Sequence, residues 1–289
     1  MKKILTFILL TCMVFSFAAC GKAEITTEEI YDAGRVEAML QNHQSVYVHR
    51  SMDGIVFSDS YLTKEYSFVE FADDEFSSAQ FMTDSVSYAY MDGSYLRYLY
   101  VAPEGVTNDF TGDRAELCAT EFAADILVET MESVSEQDGR IVVNSVLGEE
   151  ALAELAASGV VSGKSAYVLD AKTKELISVA TDYVLEDGNF GMAAEFTYDA
   201  EVPERLATFL KFEEQTDDLR KLTVVCNPGA AAEVSGDFRI PKGLVIGFMY
   251  GDEYEGKVAF YTDAACTQAY DPYANTDADL TVYITWANT

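Results

Sequence analysis

Two histidines, five cysteines and a large excess of carboxylates are the residues on which chemistry could be built in this chain of 289 residues. His43 and His49 fall on either side of a predicted helix–strand junction. With no third acidic or thiol partner in register they make a poor zinc site. A histidine-dependent dyad would have to use one of these two. No Gly-x-Ser-x-Gly, Ser-x-x-Lys or His-Glu-x-x-His occurs, and no phosphate-cradling Gly-x-x-x-x-Gly-Lys followed by Ser or Thr: Gly251 to Lys257 has the spacing, but Val258 follows it. Carboxylates are so abundant that paired acids are inevitable. A glycosidase sets such a pair in a cleft with aromatic platforms, often tryptophan, and the single Trp286 lies near the end of the chain. Asn275-x-Asp277-x-Asp279 begins like a calcium loop, but Leu280 stands where glycine belongs and Trp286 where the bidentate glutamate belongs. It reads as a solvated turn. No catalytic residue, metal ligand or cofactor is therefore expected, and the chain reads as a non-enzyme.

The cysteine with the clearest chemistry is Cys20. Lys2-Lys3 precede an apolar run, Ile4 to Phe17, which ends in Ala18-Ala19-Cys20-Gly21. This is the three-part plan of a secretory signal, and the run is short for a membrane-spanning helix. Phe17-Ala18-Ala19-Cys20 resembles the lipobox of bacterial lipoproteins, with Phe17 in place of the usual leucine. The resemblance implies cleavage after residue 19 and acylation of the Cys20 thiol with palmitate-type chains. Each buried methylene adds roughly 0.8 kcal/mol of membrane affinity. The protein would then be lipid-anchored at the extracytoplasmic face of the cell membrane. The other reading is an ordinary signal peptide whose cleavage site lies beside a cysteine.

The remaining cysteines are too few for a disulfide scaffold, and no Cys-x-x-Cys occurs. Cys226 and Cys266, in one carboxy-terminal segment, could form a single bridge, or could be free thiols behaving as small hydrophobes. The formal charge is −30, and a polyanion of that size repels phosphate backbones, which excludes nucleic acid as a partner. A hydrophobic content of 49% separates the chain from charged disordered tails.

The elements that must position these residues read as α+β. Residues 20–29 form a polar tether. A helix is predicted over 26–42, capped at Thr26 or Thr27, with Glu28 and Glu29 in its first turn. Aromatic-rich strands come next at 46–48, 61–71, 76–82, 86–90 and 95–101, with turn signals at Asp53-Gly54, Asp73-Asp74 and Asp92-Gly93. Residues 116–131 read as a helix with Leu117, Phe122, Ile126 and Leu127 as its buried stripe. Then come a strand at 139–147, a short helix at 149–157 ended by Gly159, and strands at 165–170, 175–185 and 190–198. Residues 211–220 read as a charged linker, beyond which the charge density drops. Short strands are predicted at 222–226, 243–250, 258–261 and 280–286.

The order of helix, aromatic strands, helix and strands resembles the LolA/LppX-like lipoprotein carriers. The local match is Tyr167-Val168-Leu169-Asp170-Ala171-Lys172-Thr173, then Leu176 to Val184, then Phe196-Thr197-Tyr198-Asp199. The resemblance implies a curved antiparallel half-barrel over 30–215, closed by helices above an apolar cavity for a lipid or acyl chain. Alternation of Tyr66/Phe68 and Tyr88/Tyr90 could supply the cavity wall; equally, such tyrosines pack well within antiparallel sheets. In the segment 221–289, Phe260-Tyr261-Thr262-Asp263-Ala264-Ala265-Cys266-Thr267 and Leu280-Thr281-Val282-Tyr283-Ile284-Thr285-Trp286 resemble the Listeria–Bacteroides (internalin-type B) repeat. Ala259-Phe260 stand where that repeat carries Gly-Trp. This resemblance implies a small β-grasp-like spacer or binding module. Two functions are therefore expected as alternatives: an anchored carrier of an apolar ligand, or a surface module contacting protein or glycan with its interior filled. A continuous apolar pocket of several hundred Å³ would favour the first.

Overall fold

The computed structural model describes residues 25–72, 77–114, 130–230, 233–273 and 277–287. Cys20, Cys118, the Asp73-Asp74 turn and most of the predicted helix 116–131 lie outside the described residues. The chain forms two compact units, one from residues 1–64 and 116–200, the other from 65–115 and 201–289. These cuts do not coincide with the expected boundary at 215–221. All described secondary structure lies from residue 25 onward, so a chain beginning at residue 21 carries both described cores.

The first unit opens with α1 (Thr27–Ala33) and α2 (Val36–Met39). Thr26 and Glu29 form a reciprocal capping box: the Glu29 amide donates to the Thr26 hydroxyl at 3.1 Å, and the Thr26 amide donates to the Glu29 carboxylate at 2.7 Å. The predicted single helix over 26–42 is broken at Gly34-Arg35, where glycine removes the helical preference. Seven strands complete the unit. They are β1 (Val46–Met52), β2 (Ile55–Leu62), β8 (Thr130–Gln137), β9 (Arg140–Val146), β10 (Val160–Asp170), β11 (Leu176–Leu185) and β12 (Asn189–Tyr198). Their order is β2-β1-β12-β11-β10-β9-β8, every neighbour antiparallel. One face of this sheet carries Val46, Val48, Ile141, Val143, Tyr167, Leu169, Val179, Ala194 and Phe196, which pack with Ile30, Met39 and Leu40 of the helical segment. A short helix, α3 (Glu149–Leu155), supplies Ala151 to a smaller cluster with Leu147, Val160 and Tyr183.

The second unit holds β3 (Tyr66–Ala72), β4 (Ser77–Thr83), β5 (Ser87–Met91), β6 (Ser94–Ala102) and β7 (Gly105–Thr107), joined as antiparallel neighbours. The predicted strand 61–71 is thus two pieces, the end of β2 and most of β3, interrupted at 63–65. Asp53-Gly54 and Asp92-Gly93 make their hairpins with both residues at positive φ (50° and 77°; 48° and 83°), as the tight primed turns require. Residues read as a charged linker are instead the end of α4 (Glu204–Glu214), in which Leu206 and Phe209 are fully buried.

After Gln215 to Asp218 the chain enters β13 (Leu219–Cys226), β14 (Val234–Pro241), β15 (Val245–Met249), β16 (Val258–Tyr261) and β17 (Leu280–Trp286). Four of these form a sheet in the order β14-β13-β17-β16, with β13 and β17 parallel. The fifth, β15, leaves it to pair in parallel with β6, Val245 opposite Leu96 and Met249 opposite Tyr100. Leu99 and Val101 of β6 share one core with Leu222, Val224, Ile240, Val282 and Ile284. The carboxy-terminal segment is therefore built into the second unit rather than standing alone. Cys226 is buried in this core and Cys266 lies in a turn; both are free thiols, so the bridge considered from sequence is absent. Burial pushes the Cys226 thiol up to about 11, which keeps it inert.

Proteolytic cleavage within the exposed 215–218 turn should give two bands on a denaturing gel but one species on gel filtration, because β15 stays paired with β6 and β13 stays packed against the same core. Separation into two folded species under native conditions would contradict the described unit.

Candidate functional site

Alternation along β10, β11 and β12 divides their residues cleanly. Ser165, Tyr167, Leu169, Val179, Thr181, Tyr183 and Ala194 are buried on the core face. Lys164, Ala166 and Val168, Ser178, Ala180 and Asp182, and Gly191, Ala193 and Glu195 occupy the other face. The strand register aligns these residues across the sheet. Asn144, Ala166, Ala180 and Ala193 stand side by side across β9 to β12. Two residues along in one direction stand Lys164, Asp182 and Gly191; in the other stand Val168, Ser178 and Glu195.

Alanine is depleted in strands because it contributes little packing. Three alanines side by side across neighbouring strands leave a trough where larger side chains would otherwise meet. A cavity of about 200 Å³ lies there, lined by these residues together with Glu132 and Asn144. Its floor is small and apolar, and its ends are charged. At one end the Lys164 ammonium is 3.5 Å from the Glu132 carboxylate, which leaves that ammonium satisfied. Gly191 lets two carboxylates approach: a Cβ there would sit 3.2 Å from an Asp182 oxygen, and the Gly191 amide donates to Asp53 at 2.8 Å. At the other end Glu195 faces His49 directly across the β1–β12 pair. His49 is itself bonded through Nδ1 to an Asp59 oxygen at 2.6 Å.

The four aromatics expected to wall a cavity are instead packed among their neighbours. Phe209 of α4 stands 6.1 Å from Phe68, 5.8 Å from Phe81 and 6.1 Å from Tyr88, ring centre to ring centre. Tyr66 packs on Phe81 at 5.4 Å. Tyr90 carries the Arg205 guanidinium over its ring at 3.8 Å, and Arg205 Nε donates to Glu70 at 2.6 Å. Tyr88 donates its hydroxyl to Glu213 at 2.7 Å, and burial holds that phenol well above its ordinary range. Tyr66, Phe68, Tyr88 and Tyr90 are thus packing residues, and the alanine trough is the site that strand alternation alone did not reveal.

His43 does a different job. Its Nδ1 lies 2.9 Å from Asp199 and its Nε2 2.7 Å from Glu175, with the Tyr198 ring 4.5 Å away. Only an imidazolium donates from both nitrogens, so the two carboxylates hold it charged. The bonds to Asp199 and then Glu175 raise its pKa above the ordinary 6.5. The clamp therefore contributes fully below pH 6.5 and is lost as the pH rises through the raised folded-state value. His43→Gln should lower the unfolding midpoint at pH 6 and have a shrinking effect towards pH 9. An unchanged difference across that range would show that the imidazolium is not the contributing form.

No protein-family model matches this chain, and no curated protein matches it. Among solved structures it is similar to the lipoprotein LppX of Mycobacterium tuberculosis, with 10% identity and a TM-score of 0.38 over 61% of this chain and 96% of that one. It is similar also to LprF of Mycobacterium bovis, with 12% identity and a TM-score of 0.33 over 61% of this chain and 94% of that one.

Proposed function

We propose that this protein is a non-enzymatic, lipid-anchored extracytoplasmic lipoprotein whose first unit binds an apolar ligand in the alanine trough. The observation that carries the reading is the cavity over Ala166, Ala180 and Ala193, an unfilled apolar surface beside a fully packed core. At about 200 Å³ it is smaller than the pocket the sequence led us to expect, and it suits one acyl chain or small ring rather than a whole diacyl lipid. Covering its apolar surface, at about 25 cal/mol per Å², would contribute about 4 kcal/mol. Less the cost of association, this supports binding no tighter than about millimolar. The first unit's antiparallel sheet with helices on one face supports the carrier reading, although that sheet is open rather than curled into the expected half-barrel and the trough lies on the face opposite the helices.

The second unit supports the other reading. Its aromatic face is closed by α4 and its second sheet shares a packed core. A spacer or surface-contact module is the alternative reading this packing favours for the second unit. Anchoring is tested at Cys20. Cys20→Ala should abolish acyl labelling and leave an unprocessed precursor at the membrane; unchanged labelling would remove the lipoprotein claim. Ligand binding is tested by titrating the delipidated chain from residue 21 with octyl glucoside, where saturation is expected and its absence would leave only the contact-module reading.

A further inference from the structure

We infer that the trough selects its ligand by head-group charge, taking an amphiphile with a cationic head and rejecting anionic ones, and that Glu195 is the residue that sets this preference. The inference rests on the proposed binding of an apolar ligand in the same cavity.

Charge along the trough is uneven. At the Lys164 end, ammonium and carboxylates alternate across neighbouring strands: Glu132 bonds Lys164, and Asp182 stands directly opposite Lys164 in the β10–β11 register. A cation arriving there would meet an ammonium, and an anion would meet two carboxylates. At the other end the cavity lining offers Val168, Ser178 and Glu195. Glu195 forms no ion pair among the described residues. Its cross-strand neighbours are Ser178 on β11 and His49 on β1, and His49 is turned to Asp59 through Nδ1. The charged and titratable groups facing this end are therefore Glu195, Asp59 and His49, two carboxylates against one imidazole.

An apolar body lying on Ala166, Ala180 and Ala193 thus brings its head to an uncompensated carboxylate. A ligand ammonium would gain a charge-assisted contact there, strengthened as the ligand excludes water. A ligand carboxylate or phosphate would be repelled at the same place. A neutral hydroxylated head would be tolerated, with Ser178 and Glu195 both able to accept hydrogen bonds.

The test compares three probes with one tail and different heads: octyltrimethylammonium, octyl glucoside and octanoate. Each is titrated by calorimetry into the chain from residue 21 and into its Glu195→Gln variant. The expected result is binding of octyltrimethylammonium about fivefold tighter than octyl glucoside, with octanoate weakest. In Glu195→Gln that preference should fall to within about twofold while octyl glucoside binding is unchanged. The variant Asp217→Asn removes the same charge in the second unit and should leave the preference intact. If octyl glucoside fails to bind the wild-type chain, the binding reading itself fails. If it binds but the cationic probe binds no tighter, or Asp217→Asn erases the preference as Glu195→Gln does, the head-group inference is overturned and only bulk charge acts.

Discussion

Replacing Phe209 with alanine should lower the stability of the second unit by about 3–5 kcal/mol, the range for losing a phenyl ring from a packed core. Phe209 is fully buried. Besides Phe68, Phe81 and Tyr88, it meets the edge of Tyr95 at 5.4 Å. Its removal would open a cavity bounded by rings that cannot collapse together, since each is fixed on a hydrogen-bonded strand. Phe212, at the carboxy-terminal end of the same helix and only half-buried, touches Tyr88 and Tyr95. Phe212→Ala should cost less than half as much. Trp286, the chain's single tryptophan, sits on β17 within this unit and packs on Tyr254 at 4.8 Å. Its fluorescence therefore reports unfolding of this unit in urea. A loss below about 1 kcal/mol for Phe209→Ala would contradict the packing of α4 against the aromatic strands.

The largest effect on binding is expected from filling the trough. Ala180 is exposed at the middle of the three alanines, so Ala180→Trp adds a large ring to open space rather than to a packed core. Stability should change by no more than about 0.5 kcal/mol. The indole would lie over Ala166 and Ala193, where the ligand is placed, and octyl glucoside affinity should fall at least about tenfold, or 1.4 kcal/mol. Lys172→Trp, in the exposed turn between β10 and β11, adds the same ring elsewhere and should leave affinity unchanged. Equal binding by Ala180→Trp and the wild-type chain would place the ligand outside the trough.

Local features were legible in the sequence. The Thr26–Glu29 cap, the two Asp-Gly hairpins and the strands around Tyr95, Tyr167, Val179 and Phe196 all arise from residue type and short-range pattern. Helix α4 was missed because Lys211, Glu213 and Glu214 dominate its end, although Leu206 and Phe209 already carry helical spacing behind Pro203. Strands β8 and β14 were missed for a different reason. Thr130 to Gln137 is largely exposed and held by backbone pairing with β9, and Val234 to Pro241 buries only its last two residues, so its apolar signal is confined to Phe238 and Ile240. The partner of β15 was beyond reach, since nothing near Val245 names Leu96 as its neighbour.

The candidate site was illegible for the same physical reason. Ala166, Ala180 and Ala193 lay inside predicted strands, but only the hairpin registers bring them side by side. A shift of one residue in either pairing would turn an alanine to the core face and erase the trough. The aromatics drew attention instead because they are large. In this chain their size is used for packing around Phe209, and open space is left where side chains are small.

Ligand binding in the alanine trough is tested most directly by the amide chemical shifts of the isotopically labelled chain from residue 21, titrated with octyl glucoside. Saturable shifts should concentrate on Ala166, Ala180, Ala193 and their strand neighbours, with Phe68, Tyr88 and Phe209 unmoved. Absence of saturable shifts, or shifts confined to the aromatic face around Phe209, would contradict binding in the trough.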